Sequence, residues 1–374
     1  MNKILVGVIA LIIIIVGAGY FFTGNDKKAS QTNEPIRIGT IFSQTGFASA
    51  FGEMTYRGVM LAVDEINQNG GINGRKIVVV SEDDRTDGKA AIGAYKKLTS
   101  IDNVDAIIGG NFDFVVSPLF KEAENGSVVV ITPMASRIDG TLDTNKNSFT
   151  MLIDLKDIVK TLKPFLESAD YKKMAVVHYA SGFGNQFAST LNEISEGQNK
   201  GKIVEEVYQN LGTTEWPSYI LRLKQQDVDL VFADMLQDDF IRFVNDSKRL
   251  GFRPKFVTHN DIRNALARKD INMSILDDVI VLNWDVLGSE KFIESFKKKY
   301  EVNPINYASQ AYVATYILAE ALSQNGKDNL NAHLEKNSFN TSEGEYKFND
   351  KHAVTYTPVE VQVIRNGKLE TWKK

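Results

Sequence analysis

The chain has 374 residues, 43% of them hydrophobic and 24% charged, with a formal net charge of −4 and no cysteine. That length and balance suit a folded protein of about two ordinary domains and exclude a disordered one. An acidic chain argues against nucleic acid as a partner, and without thiols neither disulfides nor cysteine-linked lipids can form.

From Ile4 to Gly24 there are 21 residues without a charge, close to the ~20 that carry a helix across a bilayer. A cleavable secretory signal has a shorter apolar core, about 7 to 15 residues, and ends at small side chains. This run instead ends in Tyr20-Phe21-Phe22. The expectation is an uncleaved single-pass anchor in the cell membrane, with residues 1–34 as anchor and polar linker. Lys3 on one side and Lys27 and Lys28 on the other leave its orientation unset by charge.

Ile36, Ile38 and Ile41 open the first apolar run after the linker. Tyr56, Val59, Met60, Val63 and Ile66 then recur at helical spacing, and Ile77 to Val80 is apolar without alternation. Continuous apolar strands belong in buried parallel sheets, so this is a βαβ unit of a doubly wound α/β fold. Its joint, Asn69 to Arg75, is rich in residues that tolerate positive φ. Strands near Asp105–Ile108 and Val128–Ile131 follow, giving about four strands by residue 150.

A second βα series begins at Met174–His178 and continues through Val204–Tyr208, Asp229–Phe232 and Lys255–Val257, with Trp216-Pro217 opening a helix to Gln225. The strand Val279–Leu282 and the helix Tyr307–Leu322 come too late to form a third domain and are expected to return to the first lobe. Val359 to Trp372 alternates and turns at Asn366-Gly367, a hairpin signal. The expected division is 35–152 plus 285–352 for lobe 1 and 153–284 plus 353–374 for lobe 2.

Enzyme signatures are missing: the chain contains no GxGxxG, GxxxxGK[ST], GxSxG or HExxH, and its four histidines have no ligand spacing. No metal or cofactor is expected. Asp83 and Asp84 are adjacent carboxylates at a strand end, where turn and cap roles are commoner than catalysis. His178, inside an apolar strand, reads as a core histidine. In open α/β sheets ligands bind beyond the carboxyl ends of strands. Those positions hold Ser43 to Gly46, Gly109 to Asp113 with Asn111, Met134 to Ser136, Tyr179 to Phe183, Asp234 to Leu236 and Thr258 to Asp261.

The stretches IRIGTIFSQTG, FGEMTYRGVMLAVDEINQNGGINGRKIVVVSEDD, IIGGNFDFVVSP, VVVITPMASR, MAVVHYASGFG and WPSYILRLKQQDVDLVFADM together resemble the leucine/isoleucine/valine-binding family of type I periplasmic solute-binding proteins, the substrate-binding components of ABC transporters. The resemblance runs from residue 35 to about 370. It implies two lobes joined by a three-stranded hinge, a small ligand clamped between them, extracytoplasmic placement and delivery to an ABC permease in the membrane. It also implies that Phe51 and Phe183 flank the ligand and that Ser136 supplies a hydroxyl. Three positions depart from the family pattern. Asp113 falls where a hydroxyl receives the ligand's carboxylate, Leu236 where an aromatic ring is common, and Asn260 where lobe 2 has an acid, with Asp261 beside it.

A carboxylate at Asp113 would repel a ligand carboxylate unless protonated or countered by a cation such as Arg137. Asp113 is also placed to cap the helix starting near Phe114. The sequence therefore points to a non-enzymatic solute-binding protein for an amino acid or a related amine or amide. The alternative is a ligand-sensing ectodomain of a signalling system.

Overall fold

The first strand, β1 (Ile36–Phe42), buries every residue but Arg37, as a strand covered on both faces must. The helix Ser49–Gln68 follows and packs Val59, Ala62, Val63 and Ile66 against Ile36, Ile38 and Ile108. The chain then turns back with Gly70, Gly71, Asn73 and Gly74 all at positive φ, and β2 (Ile77–Asp83) lies parallel to β1 with Ile38 opposite Val79. The computed structural model describes residues 34–138, 146–212, 214–266, 268, 271–284, 287–305 and 307–374. The expected anchor lies outside these residues, and among them no helix is long and apolar enough to cross a membrane.

Strands β3 (Ala106–Gly109), β4 (Val130–Thr132) and β5 (Ser148–Thr150) complete a parallel sheet in the order β2-β1-β3-β4-β5. The strand period of two divides its side chains between two cores. Ile41, Ile107 and Val130 face the helices Gly88–Ser100 and Asp113–Glu124, while Ile38, Ile108 and Ile131 face Ser49–Gln68 and Ala308–Asn325. The late helix thus returns to the first sheet, but the strand expected to return with it does not: Ile280–Asn283 pairs in parallel with Lys255–His259 in the second sheet. β5, at three residues, is too short to show periodicity, and this is why four strands were expected and five are found.

The second sheet contains parallel β6 (Met174–Tyr179), β7 (Val204–Tyr208), β8 (Leu230–Asp234), β9 (Lys255–His259) and β10 (Ile280–Asn283). Two antiparallel strands from the tail, β13 (Glu360–Arg365) and β14 (Lys368–Thr371), extend it to the order β14-β13-β10-β9-β8-β6-β7. Asn366 and Gly367 form the tail turn at φ 50 and 71, the left-handed geometry of a two-residue hairpin loop. The intervening pair, β11 (Ser338–Thr341) with β12 (Gly344–Lys347), stands apart from both sheets as a two-stranded ribbon.

Two of the passages between the sheets run side by side. Thr150 N–H donates to the His352 carbonyl at 2.9 Å, Val354 N–H donates back to Thr150 at 3.1 Å, and Ile153 N–H donates to Thr357 Oγ1 at 3.2 Å. A third passage leaves β10 through Trp284 and reaches Leu287–Ser289. Residues Pro35–Lys374 form one compact unit, with an apolar seam through Met134, Leu152, Trp284 and Tyr307 joining the two sheets.

Candidate functional site

The carboxyl ends of both parallel sheets converge on one cavity, which encloses about 680 Å³ of space not filled by atoms, its mouth included. From the first sheet, Asn111 to Phe114 enter after β3 and Met134 to Ser136 after β4. From the second, Tyr179, Ser181 and Phe183 follow β6, Asp234 to Leu236 end β8, His259 and Asp261 end β9, and Trp284 follows β10. No lysine or arginine is among the described lining residues. No group of described residues could hold a metal ion.

Asp113 is the first residue of the helix Asp113–Glu124, and its Oδ2 accepts the Phe183 N–H of the opposite lobe at 2.9 Å. Phe183 sits in the first turn of Gly182–Gly197, so one carboxylate serves the exposed N–H groups of a helix across the gap. Burial pushes the Asp113 carboxyl up, and Asp234 adds to this. The N–H groups of Phe183, Phe114 and Gly182 pull back, and the result is about 6.

On the far wall His259 Nε2 bonds Asp234 Oδ1 at 3.1 Å. Burial disfavours the His259 imidazolium, but that hydrogen bond and the charges of Asp261 and Asp234 outweigh it and raise the pKa. The Tyr208 hydroxyl donates to the Asp234 carbonyl at 3.0 Å, and burial beside Asp234 holds this phenol well above the usual range. Two polar atoms of the lining remain buried with no protein partner, Ser136 Oγ and His259 Nδ1. Such atoms are costly in a closed interior. Beside the apolar Met134, Ala135, Leu211, Met235 and Leu236, much of the wall is aromatic: Phe112 and Phe114 stack at 5.5 Å, Phe114 meets Tyr179 edge-on across the gap at 5.9 Å, and Trp284 lies 6.2 Å from Phe183.

The periplasmic binding protein family matches residues 35–368. The chain belongs to that family. It is 25% identical over 319 residues to the Leu/Ile/Val-binding protein homolog 7 of Brucella abortus, covering 79% of each chain. The fold is that of LivJ, a branched-chain amino acid transporter substrate-binding protein from Streptococcus pneumoniae solved with isoleucine. That match has TM-score 0.78 at 22% identity, covering 90% of this chain and 98% of LivJ. An R. palustris ABC transporter solute-binding protein solved with benzoate superposes at TM-score 0.76 and 19% identity, covering 90% of this chain and 95% of that one.

Within this periplasmic binding protein, Asn111, Asp113, Met134, Ser136, Phe183 and Leu236 all line the cavity. Phe51 and Asn260 are not among its lining residues. Phe51 packs edge-on against Phe112 at 5.9 Å, behind the wall and not in it. Asn260 is fully buried and donates from Nδ2 to the Tyr307 hydroxyl at 3.2 Å, while its neighbour Asp261 reaches the lining. Arg137 is no counter-ion to Asp113: its guanidinium donates to the Ser148 carbonyl at 2.6 Å and lies over the Phe120 ring.

Asp83 accepts the N–H groups of Gln44, Thr45 and Arg85, and Asp84 accepts the Ser43 hydroxyl and the Thr86 N–H, so this carboxylate pair ties loops together. His178 is fully buried with both nitrogens bonded, to Glu205 and to the Tyr179 carbonyl. Phe114, Tyr208, Leu211, Trp284 and Tyr307 were missed as lining residues. Trp284 directly follows a buried strand, so the strand-end rule would have found it had it been applied to β10.

Proposed function

We propose that this protein is the extracytoplasmic solute-binding component of an ABC importer, closing two lobes on a small polar ligand and presenting it to a membrane permease. The observation that carries this reading is a cavity lined from both sheets at their carboxyl strand ends, in a chain whose family is one of binding proteins. Relatives of the same fold that hold isoleucine or benzoate support a guest of amino-acid size. Residues 35–152 plus 285–352 are taken as one lobe and 153–284 plus 353–374 as the other, with closure by bending of the paired passages near Thr150 and Ala353.

Asn111, Asp113, Met134, Ser136, Phe183 and Leu236 are the proposed ligand contacts, joined by Tyr179, Asp234, His259 and Trp284. The uncharged run from Ile4 to Gly24 supports tethering to the cell membrane by an N-terminal helix. The test is thermal unfolding of the full chain in detergent against amino acids, amines, amides and aromatic acids. A true ligand at ~100 times its Kd adds ~2.7 kcal/mol of stability and raises the midpoint by several degrees. If no compound in those four classes moves the midpoint, the reading is wrong.

A further inference from the structure

The cleft contains the features that normally receive an anion, since two helices point their N-termini at it, Asp113–Glu124 and Gly182–Gly197. The protein fills that role itself. Asp113 opens one helix and accepts the Phe183 N–H of the other at 2.9 Å, so a ligand carboxylate arriving there would meet a carboxylate in its place. The described lining carries Asp113, Asp234 and Asp261 against the single imidazole of His259. Around Asp113 stand the rings of Phe114, Tyr179 and Phe183, with Trp284 6.2 Å from Phe183. Aromatic faces beside a carboxylate attract an organic cation. At the other end Ser136 and His259, 2% and 5% exposed, leave Oγ and Nδ1 without a protein partner, so a neutral polar group on the guest has hydrogen-bonding atoms to meet.

Resting on the reading of the chain as a solute-binding protein, we propose that its cleft selects an organic monocation lacking a free carboxylate, an amine or amino amide whose charged head sits at Asp113 among the aromatic rings. Asp113 is then the specificity-determining residue. It excludes zwitterionic amino acids and aromatic acids as preferred ligands.

The test is calorimetric titration of the full chain in detergent at pH 7.5 with two matched pairs, L-leucinamide against L-leucine and phenethylamine against phenylacetate. In each pair the cation lacks the carboxylate its partner carries. The expected result is at least tenfold tighter binding of the cation in one or both pairs, and loss of most of that preference in Asp113→Asn, which keeps an acceptor for Phe183. If leucine or phenylacetate binds as tightly as its partner, the proposal falls while solute binding stands. Saturable binding of neither pair, nor of any compound in the wider four-class screen, removes both readings. The comparison on the unmodified protein decides the matter even if Asp113→Asn does not fold.

Discussion

Asp113 is half-buried, charged at neutral pH and held between two lobes, and each of these properties bears on stability as well as on ligand choice. Its carboxyl is raised to about 6 in the fold, against about 3.9 in an unfolded chain. Between those values the folded protein keeps a proton that the unfolded chain has released. Stability therefore falls as pH rises from about 4 to about 6, and is level above that window. Asp113→Asn removes the ionisation and keeps an acceptor for Phe183. The ligand-free variant is expected to be more stable than the parent by on the order of 2 kcal/mol at pH 7 and equal to it near pH 4, as read by denaturant unfolding at both pH values. A variant less stable at pH 7 would mean that the ionised carboxylate strengthens the fold through the helix termini it serves. A functional residue carried at a cost to stability is the usual trade at binding sites.

At the scale of elements, close approach of helices decides which residues are allowed. A Cβ built on Gly58 would stand 2.1 Å from the Ala308 carbonyl oxygen, where Ala308–Asn325 begins its crossing of Ser49–Gln68. The obstacle is backbone, which cannot swing aside, so Gly58→Ala should destabilise by about 1–3 kcal/mol despite alanine's better helix propensity. Chemical denaturation measures it, and an unchanged midpoint would show that the two helices separate freely. The contact also explains what was legible. Apolar periodicity gave the first βαβ unit, the Pro217 helix start and the tail hairpin, because each is set by local residues. It gave the return of Ala308–Asn325 to the first sheet only as an inference from chain length, since the glycine that permits the crossing lies 250 residues earlier than the helix start it accommodates. Strand-end positions exposed most of the site in the same local way. Phe51 and Asn260 lie outside the lining because facing the cavity or standing one layer behind it depends on tertiary packing, against Phe112 for one and Tyr307 for the other, which no single segment encodes.

At the scale of the whole molecule, the lobes meet around the cavity through the apolar seam of Met134, Leu152, Trp284 and Tyr307 and through contacts that include the Asp113 to Phe183 N–H hydrogen bond, Phe114 edge-on against Tyr179, and the Asn260 to Tyr307 hydroxyl hydrogen bond. A ligand touching both rims can then shift the balance between open and closed forms through its own differential contacts. The Asn260 to Tyr307 bond joins the end of β9 to the start of Ala308–Asn325, and loss of the Tyr307 hydroxyl takes away closing energy without altering charge in the cavity. Tyr307→Phe is therefore expected to weaken every ligand by a similar factor, about fivefold for a bond worth about 1 kcal/mol, with the order of preference intact. Asp113→Asn, by contrast, changes that order. Calorimetric affinities for leucinamide, leucine and benzoate in both variants separate the two effects, and small-angle scattering of the saturated proteins reports whether Tyr307→Phe stays more open. A selective loss in Tyr307→Phe would place the hydroxyl on the ligand and not on the closure of the lobes.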